Sequence, residues 1–476
     1  VETEARVAKR RAMAGGGSAR AGVVFVAGNG DCGQMGLGDG DDPGGESAQE
    51  DVREARTPKQ VASLDAARIT AVACGGMHTV GVASDGSLHS WGCNDDGANG
   101  RDGDESVPGP VTGALTGVRV AMVSAGDCHS AALATDGRVF TWGCYRDSNG
   151  HIGFNGKSGP LPKGAQEKAL QPELVVELQG VQITCIASGG NHTLAVRSGA
   201  HGVYAWGCAE QGQLGREEPD KLKALVPVVP SLRLGGSSGT SRRTRRVLNA
   251  NFASHVAALL RDRPAGDWTA AMDEYEAHGK ALGAAQPDAG PVSGAEDPPR
   301  AVFAGAYHSL VLTSSGAVWA FGLNNMGQLG VRGVGQTAKP VRVTGLDGKG
   351  VESMDGGEHH SVALCGNGDV YTFGRGDYGQ LGTNDGAETA EEPVLVRALQ
   401  GKAVRKVCCG SHPTAAVTAD GRLYTWGFGE MYQLARGSKR DEAQPRQVDT
   451  EPLGSRFVLD ASMGAQHTVV LATDIE

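Results

Sequence analysis

Short apolar runs with a period of two recur along the chain, each cut off by Gly, Asp-Gly or Ser-Gly. In "RVAMVSAG", "SAALAT" and "RVFTWG", between residues 119 and 143, apolar positions alternate or run on, and Asp136-Gly137 supplies a tight hairpin turn. A helical reading fails because the apolar period is two and glycine interrupts every stretch. The pattern is itself repeated. Residues 73–103 and 124–154 both read G-x-x-H-[ST], alternating apolar residues, a Gly turn, a strand ending in Trp-Gly, and a Gly-rich loop. The unit returns at 189–215, 305–330, 357–382 and 410–435. Its anchors are His78, His129, His192, His308 and His360, with Pro413 in the sixth place, at spacings of 51, 63, 116, 52 and 53 residues.

The double-length gap holds an insertion, and the chain ends complete the count. Residues 462–473 carry the first half of a unit, anchored at His467, and residues 23–38 carry a second half with nothing before it. Together they make a seventh unit, the arrangement of a propeller whose two ends share a blade so that no sheet edge stays open. The expectation is an all-β, seven-bladed β-propeller of four-stranded blades with a partly helical insertion. Residues 1–22 are a basic tail, 23–230 and 301–476 the two parts of the propeller, and 231–300 the insertion. Within the insertion, "NFASHVAALLRDR" and "DWTAAMDEYEAHGKALGAA" read as short amphipathic helices between a basic opening and a Pro/Gly-rich end.

Composition narrows the function. The 74 glycines among 476 residues fit many tight turns, and a net charge of −10 argues against wholesale wrapping of nucleic acid. Basic character is local: Lys9, Arg10 and Arg11, then Arg242, Arg243, Arg245 and Arg246. The ten cysteines contain no CxxC, and most fall on strand-like segments (Cys74, Cys93, Cys128, Cys144, Cys208). They read as reduced core residues of a nuclear or cytosolic protein. No apolar run approaches the roughly 18 residues that would span a bilayer, so no membrane association is expected. No hydrophobic stretch follows the basic start, so no secretory signal is expected either.

Several chemical motifs fail on context. Gly28-x-Gly30-x-x-Gly33 follows a β-branched run as a dinucleotide loop would, but "LGDGDDPGG" follows it and cannot be a helix. The ending G-Q-[LM]-G recurs at 212–215, 327–330 and 379–382, so these glycines belong to the repeat. Gly156-Lys157-Ser158 lacks the first glycine of a phosphate loop, His151 standing in its place. The anchor histidines occur one per blade, so they form no metal cluster and read as buried, hydrogen-bonded groups. Trp91, Trp142, Trp206 and Trp426, with Phe321 and Phe373 in equivalent places, read as blade packing. No cofactor and no metal are expected.

The repeat units, and above all "GGMHT…CNDDGANGRD", "SAGDCHSAALATDGRVFTWG" and "YRDSNGHIGF" (145–154), resemble the regulator of chromosome condensation family, whose propeller exchanges nucleotide on the small GTPase Ran. The resemblance covers about 23–230 and 301–473. It implies a Ran guanine-nucleotide exchange factor with no bond-making catalysis, monomeric, and acting in the nucleus on chromatin with a possible cytoplasmic pool. It also implies that Arg146, Asp147, Ser148, Asn149, Gly150, His151, Ile152 and Gly153 form a β-wedge directed at the GTPase, with a polar tip and Ile152 as its apolar element. Further GTPase contacts carried over are Asp31, Asp127, Asn191, Arg216, Asn325 and His359. At Asn191 the family has an acidic residue; asparagine keeps an acceptor and loses the charge.

Arg242–Arg246 occupies the region of the family's DNA-contacting loop, and basic runs of this kind contact phosphates without reading sequence. A flexible loop with some helix is an equal reading of the insertion. Residues 216–230 are shorter than the family's histone-binding loop, and no arginine follows Arg216 in them. The N-terminal run with Lys9, Arg10 and Arg11 reads as an import signal or DNA arm, or else as a solvated leader, and the acidic stretch 39–55 as a solvated connection. The alternative to exchange is a propeller scaffold of the same repeat that binds protein partners. Asn191 and the short loop favour the scaffold; the wedge and the shared blade loops favour exchange.

Overall fold

The computed structural model of the chain describes residues 21–38, 53–154, 168–198, 202–219, 224–228 and 297–475. Both basic runs, the amphipathic stretches of the insertion and most of the acidic stretch 39–55 lie outside the described residues. Within them the chain is all-β and forms seven antiparallel blade sheets around one axis, with one further two-stranded hairpin. In chain order the innermost strands are Ile69–Cys74, Val120–Ala125, Ile183–Ser188, Pro299–Ala304, Val351–Gly356, Val404–Cys409 and Phe457–Met463. They head blades one to seven, and the ends of all seven line a narrow axial channel. Blade seven has the order Glu54–Gln60, Val23–Asn29, His467–Thr473, Phe457–Met463, so the two chain ends share one sheet as the sequence predicts.

Blade three is the exception to four regular strands. Ile183–Ser188, His192–Arg197 and Val203–Gly207 form a three-stranded sheet. Among the described residues only an isolated bridge from Ala205 to Val228 stands for the outer strand. Among the described residues five short 3-10 turns, such as Ala62–Ala67 and Thr344–Leu346, connect outer to inner strands and drop one leucine each into the core. The period-two reading does not show these turns, because a single buried leucine in a turn of three to six residues has no period.

The recurring G-Q-[LM]-G loop locks each blade to the next. The Gln34 side chain accepts from the Cys32 N–H at 2.8 Å, which closes the loop, and the Gln34 carbonyl accepts from the Trp91 indole at 3.1 Å. Trp142 and Trp426 make the same bond to Ala98 and Gln380. The last glycine of the loop lies flat on that aromatic ring: a Cβ on Gly36 would meet Trp91 at 2.9 Å, and its φ of 67° is the left-handed conformation that glycine allows. The tryptophans are fully buried, as are Phe321 and Phe373 in the equivalent places.

A second ring runs nearer the axis. Each anchor histidine reaches the hydroxyl after the next blade's anchor: His78 to Ser130 (2.8 Å), His129 to Thr193 (3.0 Å), His192 to Ser309 (2.8 Å), His308 to Ser361 (2.7 Å), His360 to Thr414 (2.8 Å) and His467 to Thr79 (2.9 Å). Ser130 in turn donates to the Ala98 carbonyl and Ser309 to Gln213, so their single protons are committed. The imidazole must then donate from Nε2, which fixes the tautomer. Burial holds every one of these histidines neutral, His78 pulled down to about 4 and the other five to about 3.

The ring is broken once, between blades six and seven, where Pro413 cannot reach Thr468. Other groups tie that seam: Arg405 donates to the carbonyls of Val458 (2.7 Å) and Leu459 (2.6 Å), and Lys406 pairs with Asp460. Replacing Pro413→His supplies the missing donor for Thr468. It is expected to stabilise the protein by about 1 kcal/mol, the net worth of one buried hydrogen bond. A thermal melt checks this; an unchanged or lower midpoint would show that the seam has no room for the imidazole.

Candidate functional site

The residues just before each anchor histidine, and the loops after each Trp-Gly, emerge together at one mouth of the channel. Position in the repeat decides which side chains arrive there. The residue two before the anchor is Gly76, Asp127, Gly190, Ala306, Glu358, Ser411 and Ala465 in blades one to seven, so two carboxylates enter a ring otherwise small and neutral. Asp127 is open to water yet set in the concave mouth. Desolvation there, with the Glu358 charge adding to it, pushes its carboxyl up to about 6. Glu358 moves the other way, held below the usual range by the His359 hydrogen bond and by His412, at 3.5 Å and 3.6 Å. The histidines beside Glu358 hold it down, while at Asp127 desolvation outweighs the Arg146 charge, so the two carboxyls move in opposite directions.

The wedge segment is a small hairpin, Tyr145–Asp147 paired with Gly150–Gly153, which leaves blade two directly after its Trp142-Gly143. Its register sets Arg146 opposite His151 and Asp147 opposite Gly150. Three blades hold it. Arg146 pairs with Asp96 of blade one at 2.6 Å. The Arg146 N–H donates to the Asn191 carboxamide of blade three at 2.8 Å, and that amide reaches Asp127 at 3.4 Å. Ser148 donates through its N–H (3.0 Å) and hydroxyl (2.8 Å) to Glu210 of blade three. Asn149 donates to Asp147, closing the tip.

Two carried-over residues are placed otherwise than expected. Ile152 is no exposed apolar element: it is 8% exposed and packs in the core with Tyr145 and Phe154, leaving the polar residues 146–150 as the outward part. The alternation of a two-stranded hairpin, with its inner face on the blade, turns it inward. Arg216 also folds back, its guanidinium donating to the Ala205 carbonyl at 2.7 Å and to Val226 at 3.4 Å. Arg101 in blade one does the same to Ser90, so the repeat itself marks this arginine as a blade clasp. The strand placement of the five cysteines named above needs a similar correction: of these, Cys74 alone lies within a strand, and Cys93, Cys128, Cys144 and Cys208 sit one residue outside, at this mouth.

Of the remaining contacts, Asn325 and His359 are brought together by Gln328, whose side chain lies 2.9 Å from Asn325 and 3.3 Å from His359. Asp31 is exposed on blade seven, away from that cluster, and shares the surroundings of Cys32 with Asp95 and Glu105. The sequence reading missed Glu358, His412 and Tyr307. Tyr307 meets His359 in a tilted contact at 5.6 Å, and His412 stacks on Tyr378 at 5.4 Å. All three occupy the slots one or two before an anchor, the signal that already selected Asp127 and Asn191. Among the described residues no three His, Cys, Asp or Glu side chains converge as metal ligands would, and no helix is long and apolar enough to cross a membrane.

The fold and this mouth define a class: a closed seven-bladed propeller that presents pre-anchor residues and one projecting hairpin on a single face. The RCC1-like domain model matches residues 23–470, and the chain belongs to that family. The chain is 35% identical over 465 residues to the human Regulator of chromosome condensation, covering 96% of this chain and 92% of that protein. It is similar to yeast RCC1 (Prp20), solved bound to Kap60, at 25% identity and a TM-score of 0.74 over 96% of this chain and 90% of that one. Prp20p from Saccharomyces cerevisiae superposes with a TM-score of 0.75 at 24% identity, over 98% and 95% of the two chains, which shows the fold.

Proposed function

We propose that this chain is a guanine-nucleotide exchange factor for the small GTPase Ran, acting as a monomer in the nucleus on chromatin. The observation that carries the reading is the hairpin 145–153, held across three blades beside a mouth bearing Asp127 and Glu358. An exchange factor makes and breaks no covalent bond. Its leverage is the difference between its affinities for the nucleotide-free and the nucleotide-bound partner. A pre-fixed hairpin supplies that difference, because its ordering cost is met before the partner arrives. Carboxylates at the mouth offer an alternative counter-charge to the lysine that otherwise holds the nucleotide's phosphates. The outward residues 146–150 carry the contact, and Ile152 and Arg216 support it from inside the blades.

Support for a chromatin setting comes from the relatives: the human one is a regulator of chromosome condensation, and the yeast structure was described with its binding to Gsp1p and histones. In this chain docking would rest on the basic runs, since Arg216 is engaged within blade three. The reading is tested by titrating the protein against Ran stripped of nucleotide and against Ran loaded with GDP. Binding to the stripped form at least about tenfold more tightly, a difference of roughly 1.4 kcal/mol, is the expected result. Equal affinities would remove the leverage and favour the scaffold reading.

A further inference from the structure

Position in the repeat also brings two thiols together. The last strand pair of blade two toward the mouth is His129 opposite Gly143. One step further out Cys128 and Cys144 face each other, joined by the Cys144 N–H to the Cys128 carbonyl at 2.9 Å. The corresponding bonded pairs in other blades are Met77 with Cys93, Asn191 with Cys208, Tyr307 with Leu323 and His359 with Arg375. Blade two alone among these has cysteine on both sides. Directly opposed antiparallel residues stand about 4.5–5.5 Å apart at Cα, inside the roughly 4.4–6.8 Å range that a disulfide takes.

We infer that Cys128 and Cys144 form a reversible disulfide, an oxidation site at the root of the hairpin 145–153. Both thiols are free in the structure, Cys128 half-buried and Cys144 buried. The Cys128 thiol donates to the Cys144 sulfur, which lowers the Cys144 pKa against the opposing effects of burial and the Asp96 charge, and the Arg146 guanidinium favours a thiolate in the same place. A thiolate beside a protonated thiol is the state from which oxidation starts. With hydrogen peroxide as oxidant, the Cys144 thiolate takes one oxygen to give a sulfenic acid and water. The Cys128 sulfur then displaces the second oxygen as water. Two thiols and one peroxide thus yield one disulfide and two waters, and a dithiol reductant reverses the change. The bond would tie the strand that follows Asp127 to the strand that enters the hairpin.

A second thiol pair serves as an internal comparison. Cys32 and Cys93 also touch, but burial raises the Cys32 pKa and the charges of Asp31, Asp95 and Glu105 add to it, so attack from that pair is disfavoured. Blade two should therefore oxidise first.

The test treats the purified full chain with stoichiometric hydrogen peroxide, then digests it with trypsin without reduction. Cleavage after Arg119, Arg138 and Arg146 puts Cys128 and Cys144 in separate peptides, 120–138 and 139–146, each with a single cysteine. The expected result is a mass loss of about 2 Da, the two hydrogens of the dithiol, with these two peptides linked and released by dithiothreitol. Cys128→Ser, a half-buried position chosen so that folding survives, should abolish the link and leave Cys144 as a trapped sulfenic acid. Prior linkage of Cys32 to Cys93, intermolecular dimers through Cys128, or stepwise oxygen addition with no 120–138/139–146 link would each overturn the assignment.

Discussion

Lowering the pH from 7 to 5 is expected to unfold this protein, with an acid midpoint between about 5 and 6 that follows from the histidine ring. Six fully buried histidines have folded pKa values drawn down to about 3 or 4 from 6.5. Below pH 6.5 the unfolded chain binds protons that the folded ring refuses, so stability falls as pH falls and is regained as it rises. Each histidine costs about 2 kcal/mol at pH 5, and six together cost on the order of 10 kcal/mol, comparable to the whole stability of an ordinary domain. Asp127 and Asp355, whose carboxyls burial pushes up to about 6, work in the opposite sense and soften the transition. Circular dichroism against pH reads the result. A folded ring at pH 4 would mean that the imidazoles charge in place.

Asp127→Asn is expected to slow nucleotide release from Ran by about 10- to 100-fold, the worth of a hydrogen bond to a charged group, roughly 1.5–3 kcal/mol. The amide leaves the shape of the mouth unchanged and removes the ionised acceptor, so melting should barely move while exchange falls. Because the Asp127 carboxyl titrates at about 6, wild-type exchange should also weaken as pH drops from 7 toward 6, while the ring still holds the fold. Asn191→Asp bears on the same spot. Its carboxylate would keep the acceptor for the Arg146 N–H and strengthen it, while the amide's contact with Asp127 is lost. A second negative charge would face the partner and push the Asp127 pKa higher. Faster exchange at pH 8 with a pH profile shifted upward is the expected outcome. Equal rates for all three proteins would show that the mouth charge does not act on the GTPase.

The repeat made most of the architecture legible. One unit of glycines, anchor histidine and Trp-Gly, counted along the chain, yields seven blades and their closure, because each feature has a fixed structural task. Gly36 must lie on Trp91, and His78 must find Ser130. Asp127 was named from the resemblance, and the structure sets it on the channel as a carboxylate in a ring where only Glu358 is also charged. The site was misread where a residue type suggests exposure but the repeat uses it inside. Arg216 is a clasp like Arg101, and Ile152 follows the inward face of a hairpin whose orientation no periodicity of four residues can report. Glu358 and His412 stand in the same slots as Asp127 and Asn191, but the resemblance carries over only the positions that match the family's contacts, and these two are not among them.

The most direct measurement of the central claim is release of a fluorescent guanine nucleotide from purified Ran at neutral pH, with excess unlabelled GDP and catalytic amounts of this protein. The account predicts release at least about a hundredfold above the intrinsic rate, equivalent to about 2.7 kcal/mol of barrier. It also predicts that the acceleration is lost when residues 146–150 of the hairpin are replaced by a Gly-Asn turn that keeps Tyr145 and Ile152 in the core. Unaccelerated release at micromolar protein, with folding confirmed on the same sample, would contradict it.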